Sequence, residues 1–162
     1  MPLGLDEPLR ERLARAIHDD HVARTMATPG TGAGREGLPP YEQLSEEARE
    51  SYRGQTQDIA VKLEMIGAAM VPVAEAASGE FRFTQSQVER LSRHEHARWA
   101  REKRRAGWRF GSDEDPVART HPCLVGYDRL PEEEKDKDRR VVERVPLLLQ
   151  AVGLGIERRG VR

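Results

Sequence analysis

The chain has 162 residues and lacks several features that define common classes of protein. Cys123 is the only cysteine, which excludes an internal disulfide framework and a cysteine-rich zinc site. No apolar run approaches the roughly 20 residues that a membrane-spanning helix needs. The N-terminus also lacks the basic and apolar regions of a secretory signal. These absences predict a soluble cytoplasmic protein with no membrane partner.

The chain also lacks a strong net charge, since 27 basic side chains face 28 acidic ones and leave a formal charge of -1. No overall positive field is therefore available for a nucleic-acid backbone, and we expect no nucleic-acid partner. The balance hides an asymmetry, because residues 1–80 hold 8 basic and 14 acidic side chains, whereas residues 81–162 hold 19 and 14. The two halves are expected to attract each other.

The chain does contain an internal similarity. Residues 41–47 match residues 127–133 at an offset of 86, and the match continues downstream to Gly67 and Gly153. Upstream, Leu13 and His18 have the same spacing as a second leucine and histidine 78 residues later, Leu91 and His96. These matches predict two degenerate copies of one unit, at residues 7–73 and 81–159, joined by a linker at 74–80.

Each copy is expected to begin with a helix, and the second helix has the clearer start. Thr84 and Gln87 form a capping-box pattern, which predicts a helix from there to about Ala106. Inside the first copy, residues 29–40 are rich in glycine and proline and predict a loop.

A second helix is expected in each copy. These helices begin near Ser45 and Pro131, where acidic residues occupy the first turn, and end at Gly67 and Gly153. Pro146 has no counterpart in the first copy and predicts a break in the second.

Short apolar runs follow the two glycines, at residues 69–73 and 155–156, and they could pair as strands. The predicted fold is therefore mainly helical with short strands, arranged as a single compact domain over residues 1–162.

The helix that begins after Thr84 carries charge on its apolar side. Glu95, Trp99, Glu102 and Lys103 lie on that side of a helical wheel, and His96 borders it. Because buried unpaired charges cost several kcal/mol, these groups must be satisfied. One interpretation is an internal salt-bridge network beneath a packed tryptophan. The other is a cleft in which the indole is a stacking platform flanked by charge.

The loop after this helix contributes further candidates, for which we expect structural roles. Trp108 and Phe110 are expected to pack the loop against the helix. His121 precedes a proline and is expected to be a hydrogen-bonded structural histidine. Asp115 is expected to cap the loop.

The segment from Leu91 to Ile156 carries a longer pattern, whose order, spacing and residue types agree with one known family over about 65 residues. The pattern consists of His96-Ala-Arg-Trp99, Lys103, Gly107-Trp108-Arg-Phe110-Gly111, Asp115, His121-Pro122-Cys-Leu124, Tyr127, Leu130-Pro131, Glu134-Lys135, Asp138-Arg139, Leu147-Leu148 and Gly153. It resembles the ryanodine-receptor repeat domain, or RyR domain.

The first half resembles the same family more weakly. It shares a few positions but lacks the Gly-Trp-aromatic-Gly element and the His-Pro pair, so we interpret it as a divergent copy. The shared positions are Leu13, His18, Tyr41, Leu44 and Gly67.

The resemblance implies two repeats related by a pseudo-twofold axis. It further implies that an adenine nucleotide or ADP-ribose derivative binds between them, with the tryptophan of each His-x-x-Trp motif stacked on the base. The candidate ligand-binding residues are Trp99, Lys103, His96, His18, His21, Asp138 and Glu95. His21 stands where the first tryptophan would be, which leaves at most an indole opposite an imidazole.

The function implied is a non-catalytic binding module, acting as a sensor or as a protein that sequesters its ligand, with a homodimer or an effector protein as a further partner. In this hypothesis Trp99 stacks on the base, Lys103 meets a phosphate or ribose oxygen, and the histidines supply hydrogen bonds. No cofactor, metal or catalytic residue is predicted. Two alternatives remain: a structural interaction module without a ligand, and a nucleotide-processing enzyme with Glu95 or Glu102 as its base.

Overall fold

The computed structural model describes residues 5–27, 39–76 and 81–159, and their fold is mainly helical with short strands, as predicted. The predicted glycine-rich loop lies almost wholly outside these ranges, as does part of the predicted linker. The helices are α1 (Glu7–Ala27), α2 (Glu46–Met65), α3 (Gln85–Arg105), α4 (Glu132–Glu143) and α5 (Val145–Ala151), and the strands are β1 (Ala68–Pro72), β2 (Arg109–Phe110), β3 (Thr120–His121) and β4 (Leu154–Arg158).

The chain forms two compact units, which do not simply follow one another along the sequence. The first unit comprises residues 1–81 together with 145–162, and the second comprises residues 82–144. The first unit therefore takes its last helix and strand, α5 and β4, from the C-terminal end of the chain.

The first unit is built on packing of α1 against α2 and on a two-stranded sheet. Strands β1 and β4 pair antiparallel, with Met70 opposite Ile156, which confirms the predicted pairing of the two apolar runs. Leucines from α1, α2 and α5 are fully buried beside them, namely Leu13, Leu63 and Leu149. Apolar burial of this kind is the main stabilising contribution in a small domain.

The ends of the helices in the first unit follow local sequence signals. The Ser45 hydroxyl accepts a hydrogen bond from the Ala48 N–H at the start of α2. Gly67 and Gly153 follow α2 and α5 with φ angles of 70° and 81°, a left-handed conformation that glycine adopts most readily. The predicted break near Pro146 is also confirmed, since α4 ends at Glu143 and α5 begins at Val145.

The second unit is formed by α3 and α4, with a loop between them that carries β2 and β3. Both hydrogen bonds of the predicted capping box are present between Thr84 and Gln87, which start α3. Helices α3 and α4 pack around a core that includes Leu91 and Val142, both fully buried.

The loop confirms one expectation and corrects another. The Asp115 carboxylate accepts hydrogen bonds from the N–H groups of residues 117 and 118 at 2.9 and 3.1 Å, which confirms its capping role. Phe110 is not buried against the helix as expected, because 59% of it is exposed. It lies on β2, which pairs parallel with β3 and whose two residues are both exposed.

Each unit contains an arginine that gathers several carboxylates. The Arg53 cluster in the first unit consists of Arg53, Glu11, Glu46, Glu50, Tyr41, Arg15 and Glu42. Arg53 donates to Glu11 at 2.8 Å, and the Arg15 guanidinium lies 4.9 Å from the centre of the Tyr41 ring. The cluster ties α1 to α2 and to the turn at residues 41–43.

The Arg139 cluster in the second unit consists of Arg139, Glu89, Glu132, Asp136, Tyr127, Arg93 and Asp128. Arg139 donates to Glu89 at 3.0 Å, and the Arg93 guanidinium lies 4.8 Å from the centre of the Tyr127 ring. Burial and the hydrogen bond to Glu89 raise the pKa of Tyr127 to about 12. This cluster ties α3 to α4 and to the turn at residues 127–129.

Among the described residues, no helix combines the length and the hydropathy that crossing a membrane would require.

Candidate functional site around Trp99

Trp99 lies on α3 in the second unit and is half-buried. Two imidazoles contact its indole. The ring of His96 stacks on it at 5.7 Å between centroids with 28° between the planes. The ring of His121 meets it edge to face, at 4.9 Å and 75°. The indole is therefore oriented by its neighbours while part of its surface stays accessible, which suits an aromatic platform.

His96 is buried and has defined partners on both ring nitrogens. Its Nε2 lies 2.7 Å from the Val125 carbonyl oxygen and donates to it, which assigns the proton to that nitrogen. Its Nδ1 lies 3.6 Å from Oδ2 of Asp138, a residue of α4. These two contacts fix the plane of the imidazole and, through the stacking, support the orientation of Trp99.

The charged stripe predicted on α3 forms a salt-bridge network around Arg98. Its guanidinium donates twice to Glu95, at 2.7 and 3.0 Å, and once to Glu102, at 2.8 Å. Burial opposes the charge on Arg98, but the two carboxylates outweigh it and raise its pKa above the ordinary value. Arg98 was missing from the predicted site, although its spacing of three and four residues from the two glutamates is the signal of such a network.

Lys103 lies at the other end of the stripe, and its contact is aromatic. Its ammonium nitrogen is 4.4 Å from the centre of the Trp108 ring, a cation–π geometry. Trp108 is half-buried, and its ring lies 6.4 Å from that of His121. The expectation that Trp108 packs the loop against α3 therefore holds through the side chain of Lys103.

His121 has the structural role that we expected and also contacts the site. Its Nδ1 accepts a hydrogen bond from the Cys123 N–H at 3.0 Å, and its Nε2 lies 3.8 Å from a Glu114 oxygen. Burial lowers the pKa of His121 below its ordinary value, against the opposing effect of Glu114. Sequence reasoning missed its contact with Trp99, because the two residues are 22 positions apart in the chain.

A comparison with known families agrees with this geometry. The family model of the RyR domain matches residues 82–158. This segment is similar to the RyR domain family. It contains the whole Trp99 site of the second unit, and it continues into α5 and β4, which belong to the first unit. The resemblance predicted for the second half of the chain is therefore confirmed.

The two candidate histidines of the first unit lie outside the matched RyR domain. His18 is buried, its Nδ1 lies 3.2 Å from Asp19, and its ring meets Tyr52 edge to face at 5.3 Å. His21 has its Nδ1 at 3.0 Å from the Tyr52 hydroxyl. Both imidazoles therefore border Tyr52. At the sequence offset of 86, the phenol of Tyr52 corresponds to the carboxylate of Asp138, which lies beside His96 in the second unit.

The structure brings five of the seven predicted ligand-binding residues together in the second unit: Trp99, His96, Glu95, Lys103 and Asp138. The other two, His18 and His21, lie together in the first unit. Among the residues that the structure describes, no group of three or more histidine, cysteine, aspartate or glutamate side chains could hold a metal ion.

Proposed function

We propose that this chain is a non-catalytic binding module for an adenine-containing nucleotide or an ADP-ribose-type ligand, with the indole of Trp99 as the platform for the base. The observation that carries the proposal is the half-buried Trp99 of the RyR domain, oriented by His96 and His121. An aromatic side chain with an accessible face stacks on any base, and each such contact contributes about 1–3 kcal/mol.

The contacts around Trp99 give the other residues their proposed roles. His96 positions the indole, because the Val125 carbonyl and Asp138 fix its ring. Glu95 holds Arg98 in place and so keeps the adjacent turn of α3 ordered. The positions of His18 and His21 on the opposite side of a ligand, as the resemblance implies, stay a prediction.

A role as sensor or as sequestering protein follows the same proposal. Both roles require binding without turnover, and both are compatible with a site in which Glu95 and Glu102 are engaged with Arg98. A partner protein would receive the signal of a sensor, and a sequestering protein would need only tight binding.

The proposal predicts a ligand-dependent rise in thermal stability that depends on Trp99. Differential scanning fluorimetry with AMP, ATP, ADP-ribose, cyclic ADP-ribose and NAD should show stabilisation by at least one of them. Trp99→Ala should weaken binding of that ligand by about 5- to 150-fold, because base stacking contributes about 1–3 kcal/mol.

Phe110→Ala provides the control, since it also removes an aromatic side chain from the second unit but at a site that is 59% exposed. It should leave the ligand-induced shift unchanged. Turnover of the ligand would instead favour the enzyme, and no shift with any of the five compounds would favour the structural interaction module. Unchanged affinity in a folded Trp99→Ala variant would disprove the platform.

A further inference from the structure

We propose that this chain self-associates through two exposed helix faces of opposite charge, with α2 of one copy packed against α3 of a second copy. This interface is independent of the proposed ligand binding at Trp99. Its support comes from the charge of the two faces, from the side chains that they leave unpaired and from the spacing of their residues.

The exposed face of α2 is acidic. After the first residue of the helix, its exposed positions are Glu47, Glu50, Gly54, Gln57, Val61 and Glu64. Glu50 binds Arg53, whereas Glu47 and Glu64 form no ion pair with any residue that the structure describes. The charged side chains on this face are thus all glutamates, and α2 presents net negative charge to the solvent.

The exposed face of α3 is basic. Its exposed arginines are Arg90, Arg93, Arg101, Arg104 and Arg105. Within the described ranges 5–27, 39–76 and 81–159, the last three of these form no ion pair. The helix dipole favours basic residues in the last turn, which explains Arg104 and Arg105 but not Arg101. This face therefore carries more positive charge than the dipole explains.

The exposed faces of α1 and α4 differ from these two, because they mix both signs of charge. Arg12 and Asp19 are both exposed on α1, and Lys137 and Glu143 are both exposed on α4. Mixed faces are typical of helices that stay in solvent. The separation of negative charge onto α2 and positive charge onto α3 instead gives two surfaces that are electrostatically complementary.

The two faces also match in spacing. Each contains a row of residues at intervals of seven, namely Glu50, Gln57 and Glu64 on α2, and Arg90, Ala97 and Arg104 on α3. Seven residues span nearly two turns, so each row runs along one side of its helix. When the middle residues of the two rows lie opposite each other, a carboxylate meets a guanidinium at both ends, in either relative direction of the helices.

The middle of each face allows close approach. Ala97 has a short side chain, and no atom lies within 4 Å of a Cβ added at Gly54. Both faces are exposed in the single chain, so a second copy can reach them. Exposed ion pairs contribute little individually and are screened by salt, so the association is expected to be reversible and strongest at low ionic strength.

The first test is sedimentation velocity of the full chain at about 1–100 μM protein, in about 0.01 M and about 0.5 M sodium chloride. We expect concentration-dependent association at low salt, with a dissociation constant at least about tenfold higher at high salt. A chain that stays monomeric up to about 100 μM at low salt would overturn the inference.

Charge reversal tests the two faces at positions that form no ion pair with the described residues. Glu47→Lys with Glu64→Lys reverses α2, and Arg101→Glu with Arg104→Glu reverses α3. Each double variant should raise the dissociation constant of self-association at least about tenfold. Mixing the two variants should restore association, because each then meets a face of opposite charge. A variant that merely fails to fold cannot be rescued in this way.

Glu133→Lys with Glu143→Lys is the matched control, since it makes the same change of charge as the α2 variant at exposed positions of α4. It should self-associate as the unchanged chain does. Undiminished association of both double variants would show that another surface is used and would overturn the inference. Failure of the mixed variants to associate would do the same.

Discussion

The first and second units share one set of contacts and differ in another. The Arg53 cluster and the Arg139 cluster contain an arginine, a tyrosine and their ion-paired partners in corresponding positions of the sequence. Each cluster links a long helix to the following turn and helix. The correspondence extends to the fully buried Leu13 and Leu91. Contacts that recur in this way hold the elements of each unit together.

The units differ around their histidines. In the second unit His96 lies beside Asp138 and Trp99. In the first unit His18 and His21 share Tyr52. At the sequence offsets of 78 and 86, the imidazole of His21 and the phenol of Tyr52 thus stand where the second unit has the indole and the carboxylate. The contacts that both units share maintain the fold, whereas the residues around the histidines, which differ, include those that we assign to the ligand. This contrast supports the proposal of two divergent repeats, of which one carries the platform for the base.

The largest expected effect tests whether the two units have equivalent cores. Leu13→Ala and Leu91→Ala each remove a fully buried side chain and leave a cavity, so each should lower the free energy of unfolding by about 2–5 kcal/mol. Urea unfolding followed by circular dichroism measures the loss, and tryptophan fluorescence reports on the second unit, where both tryptophans lie.

Val117→Ala is the control for this pair, because Val117 is 95% exposed and its truncation should change little. A cost below about 1 kcal/mol for only one of the two leucines would break the proposed equivalence of the two positions.

A smaller effect is expected where α2 and α5 end. Gly67→Ala and Gly153→Ala place a Cβ at φ angles of 70° and 81°, which should cost about 1–2 kcal/mol in each case. No atom lies within 4 Å of a Cβ added at Gly153, so the conformation alone causes that loss. Chemical denaturation measures both variants.

Gly54→Ala is the control that separates the effect of the left-handed conformation from the effect of replacing any glycine by alanine. Gly54 lies inside α2 with open space where alanine would place its Cβ, so alanine should stabilise the helix there by about 0.5–1 kcal/mol. Destabilisation by Gly54→Ala comparable with that at Gly67 would contradict the explanation.

The smallest effect concerns pH and compares the two arginine clusters. Hydrogen bonds from Arg53 and Arg139 lower the pKa values of Glu11 and Glu89 below the ordinary 4.5. A carboxyl group with a lowered pKa in the folded state stabilises the fold above pH 4.5, and this contribution is lost as the pH falls through the lowered value. Glu11→Gln and Glu89→Gln should therefore reduce the fall in melting temperature between pH 6 and pH 3.

Glu133→Gln, at an exposed position of α4, should retain the acid dependence of the unchanged chain. An identical dependence in all three variants would show that the arginine clusters contribute nothing to acid stability. Because these groups are largely at the surface, the effect should also shrink as salt is added.

Most of the secondary structure was predictable because its signals are local. The capping box at Thr84, the cap at Ser45 and the left-handed glycines each depend on residues within about four positions of each other. The pairing of β1 with β4 was predictable from two apolar runs that follow the two glycines. The short β2–β3 pair was missed, because two-residue strands carry no periodicity.

The candidate site likewise combines contacts that follow from local sequence spacing with contacts that only the tertiary structure creates. Helical spacing already placed Glu95, Arg98 and Glu102 on neighbouring turns of α3, so their network was determined by the sequence itself. Only the tertiary structure decided that His121 meets Trp99, that Asp138 lies beside His96 and that Lys103 contacts Trp108. These contacts depend on the path of the backbone between α3 and α4, because groups that interact at a few ångströms can be far apart in the chain.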